Sequence, residues 1–373
     1  MGIKLGKIPL PLQSPVAGAV RLMATPFHLA GYERSARWAR GFAGAYPAIS
    51  PRRFQRAVDN LRDAFPQWSD AEVRGHAVRS YEHLFQLAAE FVFIPRVMTL
   101  ESCMRHLTFT DISAGVRALL SDRPVILITG HVGNWELIGY AMSMLGFPMH
   151  AIYRPIDLVP LDDWVYSVRK RRGLTLVSKF GAMRVMPACL ARREPVGLVA
   201  DQSGGDRGIF TPFFGRLTST YKSIGLLAMQ SRATIVCGYA RRLGPGDEPP
   251  AGPWQGSLME PTELARFHHP ESGLRMSVEV VDTFGPEDWE GRPDPLYYLT
   301  ARYRRSIETM VRRAPGQYFW MHRVWRSRPA HERLGKPFPD ALREKLRSLP
   351  WMTEGDVAAV IDRSNRDAAA FKR

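Results

Sequence analysis

The chain has 373 residues, 45% of them hydrophobic and 23% charged, which suits one large core or two modest ones and excludes a disordered or fibrous polymer. Its net charge of +15 and pI near 10.1 call for an anionic partner: nucleic acid, anionic lipid headgroups or a phosphorylated substrate. Only eight of the 51 basic residues are lysine, and a guanidinium fork grips two phosphate oxygens at once, although codon composition also enriches arginine. Cys103, Cys189 and Cys237 are far apart and show no C-x-x-C spacing, which argues against a disulfide framework and a zinc site.

No stretch is long and apolar enough to span a bilayer. Ser14 to Tyr32 comes nearest but is interrupted by Arg21 and His28, and it lacks the core and cleavage site of a signal peptide. It either lies in a membrane interface, with Leu22, Met23, Phe27 and Leu29 dipping into lipid, or packs as a plain helix on the domain. Residues 51–98 read as helices. The box Ser69-Asp70-Ala71-Glu72 opens one that runs to about Phe93, ends at Pro95 and buries Val73, Ala77, Tyr81, Leu84, Ala88 and Phe91. The pattern then changes. Pro124 to Thr129 is a short apolar run of the buried-strand type, followed by strand candidates at 149–153, 175–178, 196–200 and 234–239. Helical stretches at 135–144, 161–172 and 223–231 separate them, so the alternation predicts an α/β sheet with helices on its faces. A Pro- and Gly-rich loop at 243–256 precedes a strand at 276–281, a long helix at 295–313 and a polar helical tail from Pro337.

The sharpest local signal is Gly130-His131-Val132-Gly133-Asn134-Trp135-Glu136, placed directly after the first strand. Strand-to-helix junctions are where α/β enzymes present reactive groups. His131 and Glu136 cannot share a face of one continuous helix, because five residues turn about 140°. With His131 in the turn and Glu136 in the first helical turn, the carboxylate is expected to reach back, fix the imidazole tautomer and stabilise the imidazolium. Backbone N–H groups near Gly133 are expected to stabilise an oxyanion. HExxH is absent, so nothing supports a metalloprotease.

Further segments follow in order: Tyr153-Arg154-Pro155, Arg169 to Gly173, Asp201-Gln202, Phe210 to Gly215, and Pro315-Gly316-Gln317-Tyr318-Phe319-Trp320-Met321-His322-Arg323. With Asn60 to Pro66 upstream, this set resembles the late lipid A acyltransferases of bacteria (the lauroyl/myristoyl transferase family), relatives of the phosphatidylinositol mannoside acyltransferases. The resemblance covers roughly residues 50–329. It implies a glycerolipid-acyltransferase-like α/β central sheet flanked by helices, with an N-terminal helical region.

The resemblance further implies an acyltransferase moving a fatty acyl group from acyl carrier protein or coenzyme A to a hydroxyl of a lipid A-type, glycolipid or phospholipid acceptor. His131 is the expected general base and Glu136 its partner. Asp201 orients His131 or a substrate hydroxyl, or is a turn carboxylate. Arg169 binds phosphate or polarises the thioester carbonyl, unless it is a solvated helix face, and Arg154 is a phosphate contact. Asn134, Phe213, Phe214 and Arg323 complete the expected substrate-binding set; the two phenylalanines shape the acyl pocket or pack the core. Thr218 and Thr220 are further candidates for lining the site.

No metal or bound cofactor is expected, and the chain reads as a monomer. Residues 1–50 are expected to form a membrane-interface segment, 51–329 the acyltransferase domain and 330–373 a helical tail. The protein is expected on the cytoplasmic face of the inner membrane, peripheral, without the transmembrane anchor usual in the lipid A branch. The rival readings are a catalytically inactive membrane-binding protein and a nucleic-acid binder. Eight arginines interleaved with aromatic residues between Arg302 and Arg328 suit single strands or a bilayer surface, of which the membrane is preferred.

Overall fold

The structure is a computed structural model that describes residues 9–99, 103–170, 173–244, 247 and 273–371. Most of the Pro- and Gly-rich loop at 243–256 lies outside these residues, as do Arg171 and Arg172. The N-terminal helices α1 (Leu10–Ala30), α2 (Tyr32–Ile49), α3 (Pro51–Ala64) and α4 (Asp70–Val97) pack together. The capping box forms at α4, where the Ser69 hydroxyl accepts the Glu72 N–H and the Glu72 carboxylate accepts the Ser69 N–H. Two expectations for α4 need correction. The helix passes Pro95, because the Met98 N–H still closes onto the Ile94 carbonyl at 2.9 Å. Its buried face also drifts: Ala88 is exposed, while the polar residues His83, Gln86 and Glu90 are buried.

Next come α5 (Cys103–His106), β1 (Leu107–Thr110), α6 (Ser113–Leu119), β2 (Val125–Thr129), α7 (Trp135–Met144), β3 (His150–Tyr153), α8 (Val159–Lys170), β4 (Thr175–Ser178), α9 (Ala182–Ala191) and β5 (Val196–Val199). A hairpin of β6 (Ile209–Phe213) and β7 (Arg216–Thr220) leads to α10 (Lys222–Ser231), β8 (Thr234–Arg242) and β9 (Met276–Phe284). The chain ends in α11 (Pro286–Trp289), α12 (Pro295–Arg313), α13 (Ala330–Arg333), α14 (Asp340–Arg347) and α15 (Glu354–Phe371).

The fold is mixed α/β. One sheet has the order β1-β9-β8-β2-β5-β3-β4, parallel except for the β8–β9 pair. β2 is central, and Val125, Ile126 and Ile128 are buried, which is why its sequence is an unbroken apolar run rather than an alternating one. The hairpin stands apart from this sheet and was not legible as strands. Its turn holds Phe214 at φ 52° and Gly215 at φ 68°. A non-glycine residue in that region needs tertiary support, and Phe214 has it: its ring packs against Phe65, Phe213 and Trp320, and its N–H donates to Glu308. The C-terminal helices clamp onto this hairpin through buried charge. Arg328 donates to Glu332, Asp367 and the Leu217 carbonyl, and Arg216 reaches Asp63 and Asp367.

Candidate active site

The turn between β2 and α7 is fixed from three directions. The Phe319 N–H donates to the His131 carbonyl, the Gly133 N–H to Gln317, and the Asn134 N–H to the Ala240 carbonyl. Gly133 sits at φ 60°, where a Cβ would overlap that Ala240 carbonyl, so both the conformation and the close approach require glycine. The N–H groups of Gly133 and Asn134 are therefore committed to backbone carbonyls and unavailable to an oxyanion, contrary to expectation. Beneath the turn, Glu90 is fully buried and accepts from Asn134, Tyr32 and Arg242. Burial and Arg242 hold His83 neutral, its pKa well below the usual value. It takes the Arg242 N–H on Nδ1 and donates from Nε2 to the Gly133 carbonyl.

His131 Nδ1 lies 2.6 Å from Asp201 Oδ1. Asp201 follows β5, the strand hydrogen-bonded to β2, and the Ala200 N–H closes onto the Thr129 carbonyl at 2.8 Å, so sheet register alone brings the two side chains together. Burial would raise the Asp201 carboxyl. His131 first, then His322 and Arg304, overcome this and hold it well below the usual carboxylate range. An ionised carboxylate only accepts, so Nδ1 carries a proton and, in the neutral ring, Nε2 is the nitrogen with the lone pair. Arg304, fully buried, donates to the Asp201 carbonyl at 2.5 Å and lies 3.9 Å over the Phe213 ring. His322 lies 5.0 Å from His131 between ring centroids; burial, then the neighbouring His131, push its pKa down to about 4.

Glu136 is not the partner of His131. It takes both arms of the Arg169 fork, at 2.5 and 2.9 Å, because α7 starts at Trp135 and its first turn faces the last turn of α8. Arg169 is thus committed to a carboxylate and also lies over Phe91. Asn134 is fully buried and structural: its Oδ1 caps α7 on the Leu137 N–H and its Nδ2 binds Glu90. Phe213 and Phe214 are core residues, 0% and 7% exposed. Thr218 and Thr220 are buried, the first bonded to the Val324 carbonyl and the second to Thr211. Arg154 is exposed and lines the cavity described below, whereas Arg323 is exposed and lines no cavity with His131. The aromatic residues Tyr303, Tyr318, Trp320 and Trp325 of the Arg-rich stretch are buried and offer no stacking platform; Arg302 and Arg328 are ion-paired inside, whereas Arg305, Arg312, Arg313, Arg323 and Arg326 are exposed.

His131 opens onto a cavity of about 600 Å³ walled by Trp135, Ile152, Leu198, Tyr221 and Ile224, with Glu136, Arg154, Arg169 and Lys179 as its charged members. A second, narrower cavity of about 160 Å³ lies between the sheet and the helices α6 and α7, lined almost wholly by apolar side chains such as Leu119, Met142 and Val280. The two share Trp135, Gly139, Ala151, Ile152, Leu198 and Val199. A grouping of metal-ligand types, His150, Cys189 and Glu194, sits at the opposite end of β3, where Arg192 already binds Glu194.

Among the residues the sequence reading passed over, Glu90 and His83 were signalled by polar positions falling on the apolar face of α4. Arg304 and Arg242 carried no signal, since nothing marks one arginine among many as buried.

A largely parallel α/β sheet that aims a histidine–carboxylate pair into a cavity of mixed apolar and charged lining is the arrangement of an enzyme. Residues 18–250 match the bacterial lipid A biosynthesis acyltransferase family. The chain is 22% identical to a lipid A biosynthesis acyltransferase of Haemophilus influenzae over 285 residues, 75% of this chain and 77% of the other. It is 27% identical to the lipid A biosynthesis palmitoleoyltransferase of Escherichia coli over 217 residues (58% and 60%), and 24% identical to the lauroyltransferase of that organism over 287 (74% and 80%). The chain belongs to the bacterial lipid A biosynthesis acyltransferase family and is an O-acyltransferase.

The neutral histidines set an acid limit on the fold. His76 and His322 are pushed down to about 4 by burial, and His83 and His331 are lowered for the same reason. An unfolded histidine titrates near 6.5, so below that pH the unfolded chain binds protons that the folded chain does not, and stability falls as pH drops from about 6.5 toward about 4. We expect the denaturant midpoint to fall across this window and His322→Gln to remove about 3 kcal/mol of the drop. An unchanged slope in that variant would show that His322 titrates normally.

Proposed function

We propose that the protein transfers a fatty acyl group from an acyl thioester, carried by acyl carrier protein or coenzyme A, to a hydroxyl of a lipid A-type acceptor, with His131 as general base. The 2.6 Å His131–Asp201 contact, with His131 opening on the larger cavity, carries this reading. Nε2 takes the acceptor's proton as its oxygen attacks the thioester carbonyl. The tetrahedral intermediate then expels the thiolate, breaking the C–S bond, and the imidazolium returns the proton to sulfur. Asp201 holds the tautomer and offsets the imidazolium charge, the role expected of Glu136. With Gly133 and Asn134 committed, the oxyanion donors are the first-turn N–H groups of α7, at Trp135 and Glu136.

The narrow apolar cavity takes the acyl chain. The lining residues it shares with the larger one support this, as does its lack of charge apart from Glu279, which is tied to Arg241 and Tyr239. We read the sheet as of the glycerolipid-acyltransferase type and the protein as peripheral on the cytoplasmic face of the inner membrane. No helix among the described residues is long and apolar enough to cross a membrane, yet α1 and α2 expose Leu22, Leu29, Trp38, Phe42 and Ile49.

His131→Ala is expected to lower acyl transfer about 10³-fold or more, and Asp201→Asn about 10²- to 10⁴-fold, with the fold intact by circular dichroism. Near-normal turnover in Asp201→Asn beside an inactive Glu136→Gln would return the role to Glu136. Chain length is read by competition between acyl donors: Ala151→Phe should favour shorter chains, each excluded methylene being worth about 0.8 kcal/mol. An unshifted preference would place the acyl chain elsewhere. Membrane binding is checked by co-sedimentation with anionic vesicles, where Leu22→Asp with Leu29→Asp should release protein at moderate salt without changing the melting temperature. Equal sedimentation of this variant and the parent would exclude α1 as the contact.

A further inference from the structure

We propose that Arg154 and Lys179 form the phosphate-reading site of the cavity and that Arg169, despite its position, is not part of it. The inference rests on the acyl-transfer reading above and adds where the substrate's phosphate lies. Strand order supplies the first argument. β2, β5, β3 and β4 are consecutive and parallel, so their carboxyl ends form one row. His131 follows β2, Asp201 follows β5, Arg154 follows β3 directly, and Lys179 follows β4 directly, its N–H closing onto the Tyr153 carbonyl at 2.8 Å. Strands lie about 4.8 Å apart, which puts the backbone of Arg154 about 10 Å and that of Lys179 about 14 Å from that of His131 along the row.

Charge balance supplies the second argument. The charged residues lining the cavity are Glu136, Arg154, Arg169 and Lys179. Glu136 and Arg169 cancel through their two hydrogen bonds. Neither Arg154 nor Lys179 has a carboxylate partner among the described residues, and the recorded side-chain contact of Lys179 is with the Phe180 ring at 4.9 Å. The nearby carboxylate of Asp162 accepts the Ile156 N–H. Two positive charges therefore remain over, enough for a phosphate monoester dianion or for the phosphodiester or pyrophosphate of a carrier arm. They lie at a distance suited to a substrate whose reacting group and phosphate are roughly 10 to 15 Å apart, by the same strand spacing. Two sources offer this chemistry, a phosphate on the lipid acceptor and the phosphopantetheine arm of the donor.

The test uses the full chain with Arg154→Gln and Lys179→Gln combined. Four substrate pairings are compared: lauroyl-CoA or lauroyl-pantetheine as donor, with a phosphorylated glycolipid acceptor or its dephosphorylated form. We expect KM for the phosphate-bearing partner to rise about ten- to a hundred-fold while kcat falls less than threefold, and the variant and parent to treat the matching phosphate-free partner alike. Loss confined to lauroyl-CoA assigns the site to the donor arm; loss confined to the phosphorylated acceptor assigns it to the acceptor. An equal effect on phosphorylated and phosphate-free partners, or no effect on any, would overturn the proposal. So would a larger phosphate-specific KM effect from Arg169→Gln. Binding of phosphopantetheine and of the phosphorylated acceptor to His131→Ala, with and without the two substitutions, separates this claim from the catalytic one. Binding that depends on Arg154 and Lys179, beside a parent protein that itself transfers no acyl group, would sink the proposed reaction and leave the site standing.

Discussion

Glu90 is a carboxylate with no solvent exposure, and the turn that carries His131 depends on it. Removing a carboxylate from water costs several kcal/mol unless its oxygens are matched, and here Arg242 supplies a fork, Tyr32 a hydroxyl and Asn134 an amide. Each partner belongs to a different part of the chain: Tyr32 opens α2, Arg242 ends β8, and Asn134 caps α7. The network therefore ties the N-terminal helices, the sheet and the catalytic turn into one unit. Asn134 cannot be spared for substrate because it is already a helix cap and a ligand of this carboxylate. His83, kept neutral against Arg242, extends the same network to the Gly133 carbonyl.

A second buried charge sits directly behind the reacting ring. Asp201 remains an anion at 0% exposure because the His131 ring N–H donates to it and the Arg304 guanidinium lies against it. The low dielectric that makes this arrangement costly also strengthens its coupling to His131, so an imidazolium formed during turnover is stabilised more than it would be in water. His322 must stay neutral for the same reason, since a second cation 5.0 Å from His131 would oppose the proton transfer. Tyr318, fully buried between these groups, brings its own segment to the site through the isolated bridge with Val132.

The elements of the sheet were legible because buried parallel strands are short apolar runs and the helices between them are capped and periodic. The helices at 135–144 and 295–313 and the strand at 175–178 lie where their sequences place them. The hairpin at 209–220 escaped because Pro212 and the left-handed Phe214 conceal the strand pattern, and only the packing of Phe65, Trp320 and Glu308 makes that turn tolerable. His131 was legible from its glycines and the preceding strand. Its partner was legible only as one of two: spacing along the chain favoured Glu136, five residues away, with Asp201 the other candidate, whereas pairing between strands brings Asp201 from 70 residues away. Local spacing cannot report which strand lies next to which, and that adjacency decides the pair.

The excess of arginine reads differently once burial is known. Arg216, Arg242, Arg302, Arg304 and Arg328 are wholly or largely withdrawn from solvent, four of them against carboxylates and Arg304 against the Asp201 carbonyl and the Phe213 ring. Such residues add to the arginine count of the sequence without offering a surface to nucleic acid. A guanidinium suits this use because its planar fork satisfies two carboxylate oxygens while its face packs on an aromatic ring, as Arg302 does on Phe284 and Arg216 on Trp325. What separates a structural arginine from a binding one is therefore not its place in a basic run but whether a carboxylate has already claimed it. By that criterion Arg169 is part of the wall, and the cations left to meet an incoming phosphate stand at the ends of β3 and β4.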